Sequence, residues 1–229
     1  MMLKALPVKK ITLLGTTGAG KTTFLEALFG EFAKNDVRRD VGVERSSNLD
    51  FVPIKDNSFR QSTTTISFNV ISSIIARTLF NKIIVKKFEE RDQIDFENVE
   101  DAFKALFNDP AGQDRFSFMQ EIVIKGSHLV IIIADGTNIA SLEKIPHYIQ
   151  MVEAEEARTG NNIPIVVFIN KSDLKEKGVF LGAEVAERII GASHVSKDVV
   201  IYETSNFRKI TLEEPLALIY NFLLLNDRM

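Results

Sequence analysis

The segment from Ile11 to Thr23 constrains the fold more than any other part of the chain. An apolar run, Ile11 to Leu14, leads into a loop with glycine at positions 15, 18 and 20, followed by Lys21-Thr22-Thr23. The apolar residues after this loop repeat at helical spacing: Phe24, Leu25, Leu28 and Phe29. The order strand, Gly-x-x-x-x-Gly-Lys-Thr, helix is typical of a phosphate-binding loop.

Each residue type in this loop suits a bound phosphate. Glycines let backbone N–H groups close on phosphate oxygens, and the start of the helix adds unpaired donors and partial positive charge. Lys21 supplies a full charge for the outer phosphates, and Thr22 supplies a hydroxyl for Mg²⁺. The plain alternative, a glycine-rich turn without a ligand, is disfavoured because Lys-Thr and both flanking elements are present. The loop therefore predicts a nucleoside triphosphate but does not identify the base.

Composition restricts the class of protein. The chain has 229 residues, of which 26% are charged and 45% hydrophobic, as in globular proteins with a large core. A net charge of −3 gives no reason to expect nucleic acid as the main partner. The chain has no cysteine, which excludes disulfides, zinc–thiolate sites and thiol catalysis. We expect a single domain over residues 1–229 in a cytoplasmic protein.

Lipid-attachment signals are absent from both ends of the sequence. The second residue is not glycine, and the last residues contain no cysteine. We therefore expect no covalent lipid anchor, and any recruitment to membranes would be peripheral and through a partner.

Apolar runs alternate with segments of helical period over most of the chain, which predicts an α/β fold with a mostly parallel sheet covered on both faces. Strands are predicted at 11–14, 61–76, 103–108, 128–134, 163–169 and 199–203, and helices at 21–34, 141–158, 183–190 and 212–225. The polar stretch 35–60 is predicted to be a loop. Residues 77–101 mix apolar fragments with charge runs, which fits either an extended hairpin or a small insertion.

Three later segments follow predicted strands, at the sheet edge where doubly wound folds bind ligands. They are Asp109-Pro110-Ala111-Gly112-Gln113, Asn170-Lys171-Ser172-Asp173 and Thr204-Ser205. Together with the phosphate loop and Thr65, they resemble the five motifs of the Ras-like small GTPase superfamily, nearest to the Arf-like branch and related prokaryotic GTPases. The resemblance covers almost the whole chain and implies a P-loop G domain.

The resemblance also implies a site for GTP or GDP with Mg²⁺. The residues implied to bind nucleotide are Thr17, Gly18, Ala19, Gly20, Lys21, Thr22, Thr23, Thr65, Gly112, Asn170, Lys171, Asp173, Ser205 and Asn206. Those implied to hold the metal are Thr22, Thr65 and Asp109. The residues assigned to catalysis are Lys21 and Gln113. Of these two, Gln113 would orient the attacking water. Among Thr63, Thr64 and Thr65 the register is ambiguous; Thr65 is preferred because Ile-Ser-Phe-Asn-Val follows it, as in Arf-like chains.

The Asn-Lys-x-Asp segment also has a direct chemical reading. The carboxylate of Asp173 can accept two parallel hydrogen bonds from the ring N–H and the exocyclic amine of guanine. Adenine has no such pair of donors and would leave the carboxylate unpaired. Asn170 can bind the base and join neighbouring loops, and the stem of Lys171 can lie over the ring.

The sequence departs from the family pattern in its fifth motif, at Thr17, where Ras has a glycine, and in two spacings. The fifth motif is Ser205-Asn206-Phe207 instead of Ser-Ala-Lys. Lys21 and Thr65 are 44 positions apart, and so are Thr65 and Asp109, roughly double the spacing of compact members. The extra residues fall at about 35–60 and 77–101. They form either a partner-binding surface or an insertion that the fold tolerates. Arg60 could act as a built-in arginine finger; the alternative is an ordinary solvated arginine.

The function expected from these motifs is a molecular switch that binds GTP and hydrolyses it slowly. Its partners would be effectors, exchange factors and GTPase-activating proteins. A non-hydrolysing, guanine-nucleotide-bound scaffold is the alternative, because it would need the same fold and binding residues. A P-loop kinase or ATPase is disfavoured by Asp173.

Overall fold

The computed structural model describes residues 6–29, 68–110, 117–206 and 213–225. Seven strands are described: β1 Val8–Leu14, β2 Phe68–Thr78, β3 Ile83–Lys87, β4 Val99–Pro110, β5 Leu129–Asp135, β6 Ile165–Asn170 and β7 Val200–Glu203. The α-helices are α1 Lys21–Leu28, α2 Ser117–Ile124, α3 Ile139–Glu143, α4 Ile145–Thr159, α5 Ala183–Gly191 and α6 Glu213–Leu225. Short 3₁₀ helices cover Phe88–Gln93, Phe96–Asn98 and Ser172–Lys177.

All seven strands form one sheet in the order β3-β2-β4-β1-β5-β6-β7. β2 is antiparallel to both β3 and β4, whereas β4, β1, β5, β6 and β7 are parallel to one another. The carboxyl ends of these five parallel strands therefore share one edge of the sheet, which we call the carboxyl edge. The predicted fold class, a mostly parallel sheet with helices, is confirmed.

Each face of the sheet is covered by helices, so alternate strand residues enter two different apolar layers. On β5, Ile131 and Ile133 pack with residues of α1 and α6, including Phe24 and Tyr220. Ile132 points to the other face and packs with residues of α3, α4 and α5. Burial on both faces explains why the parallel strands read as continuous apolar runs. Within the described residues, no helix is both long and apolar enough to cross a bilayer.

Residues 77–98, which we call the hairpin segment, follow the first of the two predicted alternatives. β2 and β3 are joined by a tight turn in which Asn81 has a left-handed φ of 60°. The two 3₁₀ helices after β3 lead back to β4 and bury Ile94 in a small cluster with Ile74 and Ala76. The segment is thus an extended hairpin with a small apolar core of its own.

Several predicted boundaries were wrong. β4 begins at Val99 instead of 103, because its early residues pair with β2 although their sequence is charged. The predicted helix 141–158 is two helices, α3 and α4, with Pro146 in the first turn of α4, where a missing N–H is tolerated. Helix α2 had no counterpart in the prediction. The predicted loop 35–60 lies outside the described residues.

Candidate nucleotide-binding site

The phosphate loop connects β1 to α1 at the carboxyl edge, and its glycines are required by geometry. Gly15 has a φ of 144°, and a Cβ there would lie 2.1 Å from the carbonyl oxygen of Ile133. Gly20 has a φ of 99°, and its Cβ would lie 2.4 Å from Nδ2 of Asn170. Gly18 also has a positive φ, but the space around it is open. The loop is therefore packed tightly at both ends and accessible at its tip, where Thr17 and Gly18 are exposed.

Lys21 is held inside this loop. Its ammonium donates to the carbonyl oxygens of Gly15, at 2.8 Å, and Thr16, at 3.1 Å. Burial lowers the pKa of Lys21, and the charge of Asp109 opposes part of that effect. A nearly buried cation at a loop of backbone donors favours an anionic ligand.

Thr22 and Asp109 meet beside the loop. The Thr22 hydroxyl donates to Oδ2 of Asp109 at 2.8 Å, although the residues are 87 positions apart. Asp109 is near the end of β4 and is 5% exposed. Hydroxyl and carboxylate oxygens are ligands that suit Mg²⁺, so the two residues fit the metal site predicted for them.

Asn170, at the end of β6, joins the base-recognition motif to the phosphate loop. Its Nδ2 donates to the carbonyl oxygen of Ala19 at 2.9 Å, and its Oδ1 accepts from the backbone N–H of Asn206 at 3.3 Å. The side chain of Asn206 donates in turn to the carbonyl oxygen of Gly20 at 3.0 Å. Its Oδ1 is buried without a hydrogen-bond partner among the described residues. Three loops far apart in sequence are thus tied together.

Asp173 and Ser205 form the next contact along the carboxyl edge. The Ser205 hydroxyl donates to Oδ1 of Asp173 at 2.6 Å. The backbone joins the same two loops, because the Ser172 N–H donates to the carbonyl oxygen of Thr204 at 3.0 Å. The carboxylate that the sequence assigns to base recognition is therefore oriented by the fifth motif.

Lys171 has a left-handed backbone, with a φ of 73°, and its ammonium lies 2.5 Å from Oδ2 of Asp135. Oδ1 of Asp135 also accepts from the backbone N–H and the hydroxyl of Thr137. Burial tends to raise the pKa of Asp135, but the hydrogen bonds from Lys171 and Thr137 outweigh it and lower the pKa. Asp135 thus fixes the direction of the Lys171 side chain.

Two residues of this site, Asp135 and Ser141, were not predicted from the sequence. The Ser141 hydroxyl accepts from the Asp135 N–H at 2.9 Å and shares a 2.8 Å hydrogen bond with the hydroxyl of Thr16. A second connection between the phosphate loop and the base motif therefore runs through α3. Asp135 was detectable, since it directly follows the predicted strand 128–134 just as Asn170 follows the predicted strand 163–169, whereas Ser141 carried no signal.

The remaining assigned residues divide into those that the structure describes and those that it does not. Thr65, Gly112 and Gln113 lie outside the described residues, as does Arg60. Ala19 is buried and contributes its carbonyl oxygen, and Thr23 is half-buried in the first turn of α1. Within the described parts of the chain, no cluster of three or more His, Cys, Asp or Glu side chains could hold a metal ion.

The chain is also similar in sequence to known proteins. A model of the Ras family matches residues 77–223, more than half of the chain. Ras-related protein Rab-19 of Mus musculus is 38% identical over 69 residues, which is 30% of each chain. Ras-related protein RabC of Dictyostelium discoideum is 30% identical over 154 residues, 65% of each chain. The chain spans less than two thirds of the length of these relatives.

The matched relatives carry Rab names, so the expected likeness to the Arf-like branch stays a prediction. The family match covers four features described above: the Asn-Lys-x-Asp segment, the fifth motif, Asp135 and β4 with Asp109. Matched over most of its length and folded as a mostly parallel, helix-covered sheet, the chain belongs to the Ras family.

Proposed function

We propose that this protein is a small GTPase switch that binds GTP and GDP with Mg²⁺ and hydrolyses GTP slowly. One observation carries the proposal: Asn170 and Asn206 bind the carbonyl oxygens of Ala19 and Gly20. A loop suited to phosphates and a loop suited to a purine base are therefore parts of one site.

Guanine is the base whose paired hydrogen-bond donors the site can accept. Asp173 is oriented by Ser205, and its carboxylate accepts the paired N–H donors of guanine. An adenine in the same position would leave that acceptor without donors, a penalty of about 1–3 kcal/mol for a buried polar group. The stem of Lys171, held by Asp135, covers one face of the base.

Mg²⁺ fits the hydroxyl of Thr22 and the carboxylate of Asp109, with Thr65 as a further proposed ligand. When bound, the ion supplies positive charge that offsets the charge developing on the phosphates. Lys21 contributes a second positive charge from inside the loop. The chain's own part in the reaction is positioning and charge neutralisation, which supports slow turnover without a partner.

A nucleotide panel tests the proposed base. GDP, GTP, ADP and ATP are compared by thermal stabilisation of the wild-type protein, of Asp173→Asn and of the control Asp92→Asn, an exposed residue of the hairpin segment. We expect stabilisation by guanine nucleotides in wild type and control, and loss of that preference in Asp173→Asn. Equal stabilisation by adenine nucleotides would instead point to a generic triphosphate-using enzyme.

Hydrolysis needs its own measurement, because a non-hydrolysing scaffold would bind the same nucleotides. Single-turnover hydrolysis of bound GTP is followed with and without cell extract, in wild type and in Gln113→Leu. We expect a slow rate that the extract stimulates, and a lower rate in the variant with GTP binding retained. Equal rates in the two proteins would contradict the role of Gln113, and no turnover in any condition would favour the scaffold.

The hairpin segment is the proposed surface for effectors or regulators. Leu79 is 60% exposed and Phe80 is 85% exposed at its turn, although large apolar side chains are usually buried. The turn itself is fixed by hydrogen bonds from Leu79 N–H to the Asn98 carbonyl and from Asn81 N–H to the Thr78 carbonyl, both 2.9 Å. A rigid apolar tip suits recognition by another protein.

A further inference from the structure

The side chain of Asn206 makes a contact that its motif does not explain. The related motif, Ser-Ala-Lys, has alanine at this position, and alanine has no side-chain hydrogen-bond donor. Here Nδ2 of Asn206 donates to the carbonyl oxygen of Gly20 at 3.0 Å, and the residue is 5% exposed. The bond joins residues 186 positions apart.

The orientation of this amide follows from its partner. If the amide were reversed, Oδ1 of Asn206 would face the carbonyl oxygen of Gly20, and two acceptors would meet without a proton between them. The same carbonyl also accepts from the N–H of Phe24 at 2.8 Å, the bond that begins α1. Asn206 therefore holds the atom at which the phosphate loop becomes helix.

Two amides from two different loops enclose Gly20. A Cβ on Gly20 would lie 2.4 Å from Nδ2 of Asn170 and 2.9 Å from Nδ2 of Asn206. The backbone N–H of Asn206 donates to Oδ1 of Asn170, so the two amides also support each other. Asn206 thus contacts both the phosphate loop and the residue that joins this loop to the base motif.

We propose that Asn206 is a positioning residue: its side chain clamps the phosphate loop to the base-binding loops and thereby slows release of the bound nucleotide. The consequence for release rests on the proposed guanine-nucleotide function, whereas the clamp itself does not. Holding the carbonyl of Gly20 keeps the loop's N–H donors in place before the ligand binds, which lowers the entropy lost on binding.

The test compares wild type with Asn206→Ala and Asn206→Asp. The matched control is Ser73→Ala, which removes a fully buried hydroxyl that donates to the Ala105 carbonyl in β4. Two quantities are measured: hydrogen exchange of the phosphate-loop and Phe24 amides in nucleotide-free protein, and the dissociation rate of GDP. Loss of one buried hydrogen bond should make both roughly fivefold faster in Asn206→Ala.

Asn206→Asp separates the clamp from simple filling of space. Its carboxylate has nearly the shape of the amide but places an acceptor against the Gly20 carbonyl, so exchange should be at least as fast as in Asn206→Ala. Asn206→Asp exchanging like wild type, with only Asn206→Ala altered, would overturn the clamp. So would wild-type exchange and GDP release in both variants, or equal acceleration in Ser73→Ala.

The two measurements also separate this proposal from the proposed function. If the protein binds no guanine nucleotide but the amides of Asn206→Ala exchange faster, the clamp stands and the function fails. If GDP binds tightly and both variants release it at the wild-type rate, the function stands and the clamp fails.

Discussion

The carboxyl edge of the sheet and the hairpin segment place polar and apolar side chains in opposite ways. At the carboxyl edge, polar residues such as Asn170 and Ser205 are buried, and their partners are distant in sequence. At the turn of the hairpin segment, Leu79 and Phe80 are exposed, and the turn is held by backbone hydrogen bonds within the hairpin segment itself. Buried polar networks leave little freedom for substitution, whereas an exposed apolar tip contributes little to folding and is available for recognition.

The largest expected effect is at the packed end of the phosphate loop. Gly15→Ala places a Cβ 2.1 Å from the carbonyl oxygen of Ile133 and should lower the free energy of unfolding by about 4 kcal/mol or more. Gly126→Ala is the matched control: its φ of 68° is also left-handed, but no atom lies within 4 Å of the new Cβ. The free energy of unfolding of the control should fall by about 1–2 kcal/mol, because only its backbone conformation is unfavourable for alanine. Urea unfolding gives both values, and equal losses would contradict the crowding at Gly15.

A smaller effect is expected at Asp135. Asp135→Asn removes the charged partner of Lys171 and should destabilise the protein by about 2 kcal/mol at neutral pH. The folded-state pKa of Asp135 is lowered, so its carboxylate stabilises the fold above its ordinary pKa of 3.8, and this contribution is lost as the pH falls through the lower folded value.

The pH profile is the diagnostic measurement for that variant. Wild type and Asp135→Asn are unfolded in urea between neutral pH and pH 3, and the difference between them should shrink only below about 3.8. A constant difference across this range would show that the charge of Asp135 is not what stabilises Lys171.

The smallest effect on stability is expected at the hairpin tip. Phe80→Ser should change the free energy of unfolding by no more than about 0.5 kcal/mol, because the side chain is 85% exposed. Phe103 is 3% exposed and stacked on Tyr220, so it serves as the buried counterpart. Phe103→Ser should lower the free energy of unfolding several-fold more than Phe80→Ser does. Thermal unfolding and GDP affinity are measured for both variants and for the wild-type protein.

The same variant sharpens the proposal for a partner surface. Deleting residues 77–100 would remove buried Ile94 and the start of β4, so lost partner binding could follow from misfolding. Phe80→Ser avoids that problem. We expect GTP-loaded Phe80→Ser to lose a protein that wild type captures while keeping nucleotide affinity; unchanged capture would indicate a tolerated surface insertion.

Sequence alone predicted the parts of the molecule in which local pattern and environment agree. The phosphate loop has a spacing, and the buried parallel strands have apolar runs, that are typical of the structures they form. Helix α2 and the first residues of β4 were missed because their structure depends on neighbours across the sheet. Asp135 and Ser141 belong to the same class, since their importance lies in contacts with Lys171 and Thr16 rather than in any motif.

The outer strands of the sheet, as far as the described residues form it, are both short. β3 has five residues and β7 has four, and β3 ends in two lysines, Lys86 and Lys87. Unpaired backbone at the margin of a sheet is a template on which chains polymerise, and brevity and positive charge both discourage it. The longer strand β2, with eleven residues, is covered by β3 along part of its length. This arrangement should help the protein remain dispersed at high concentration and recover after partial unfolding.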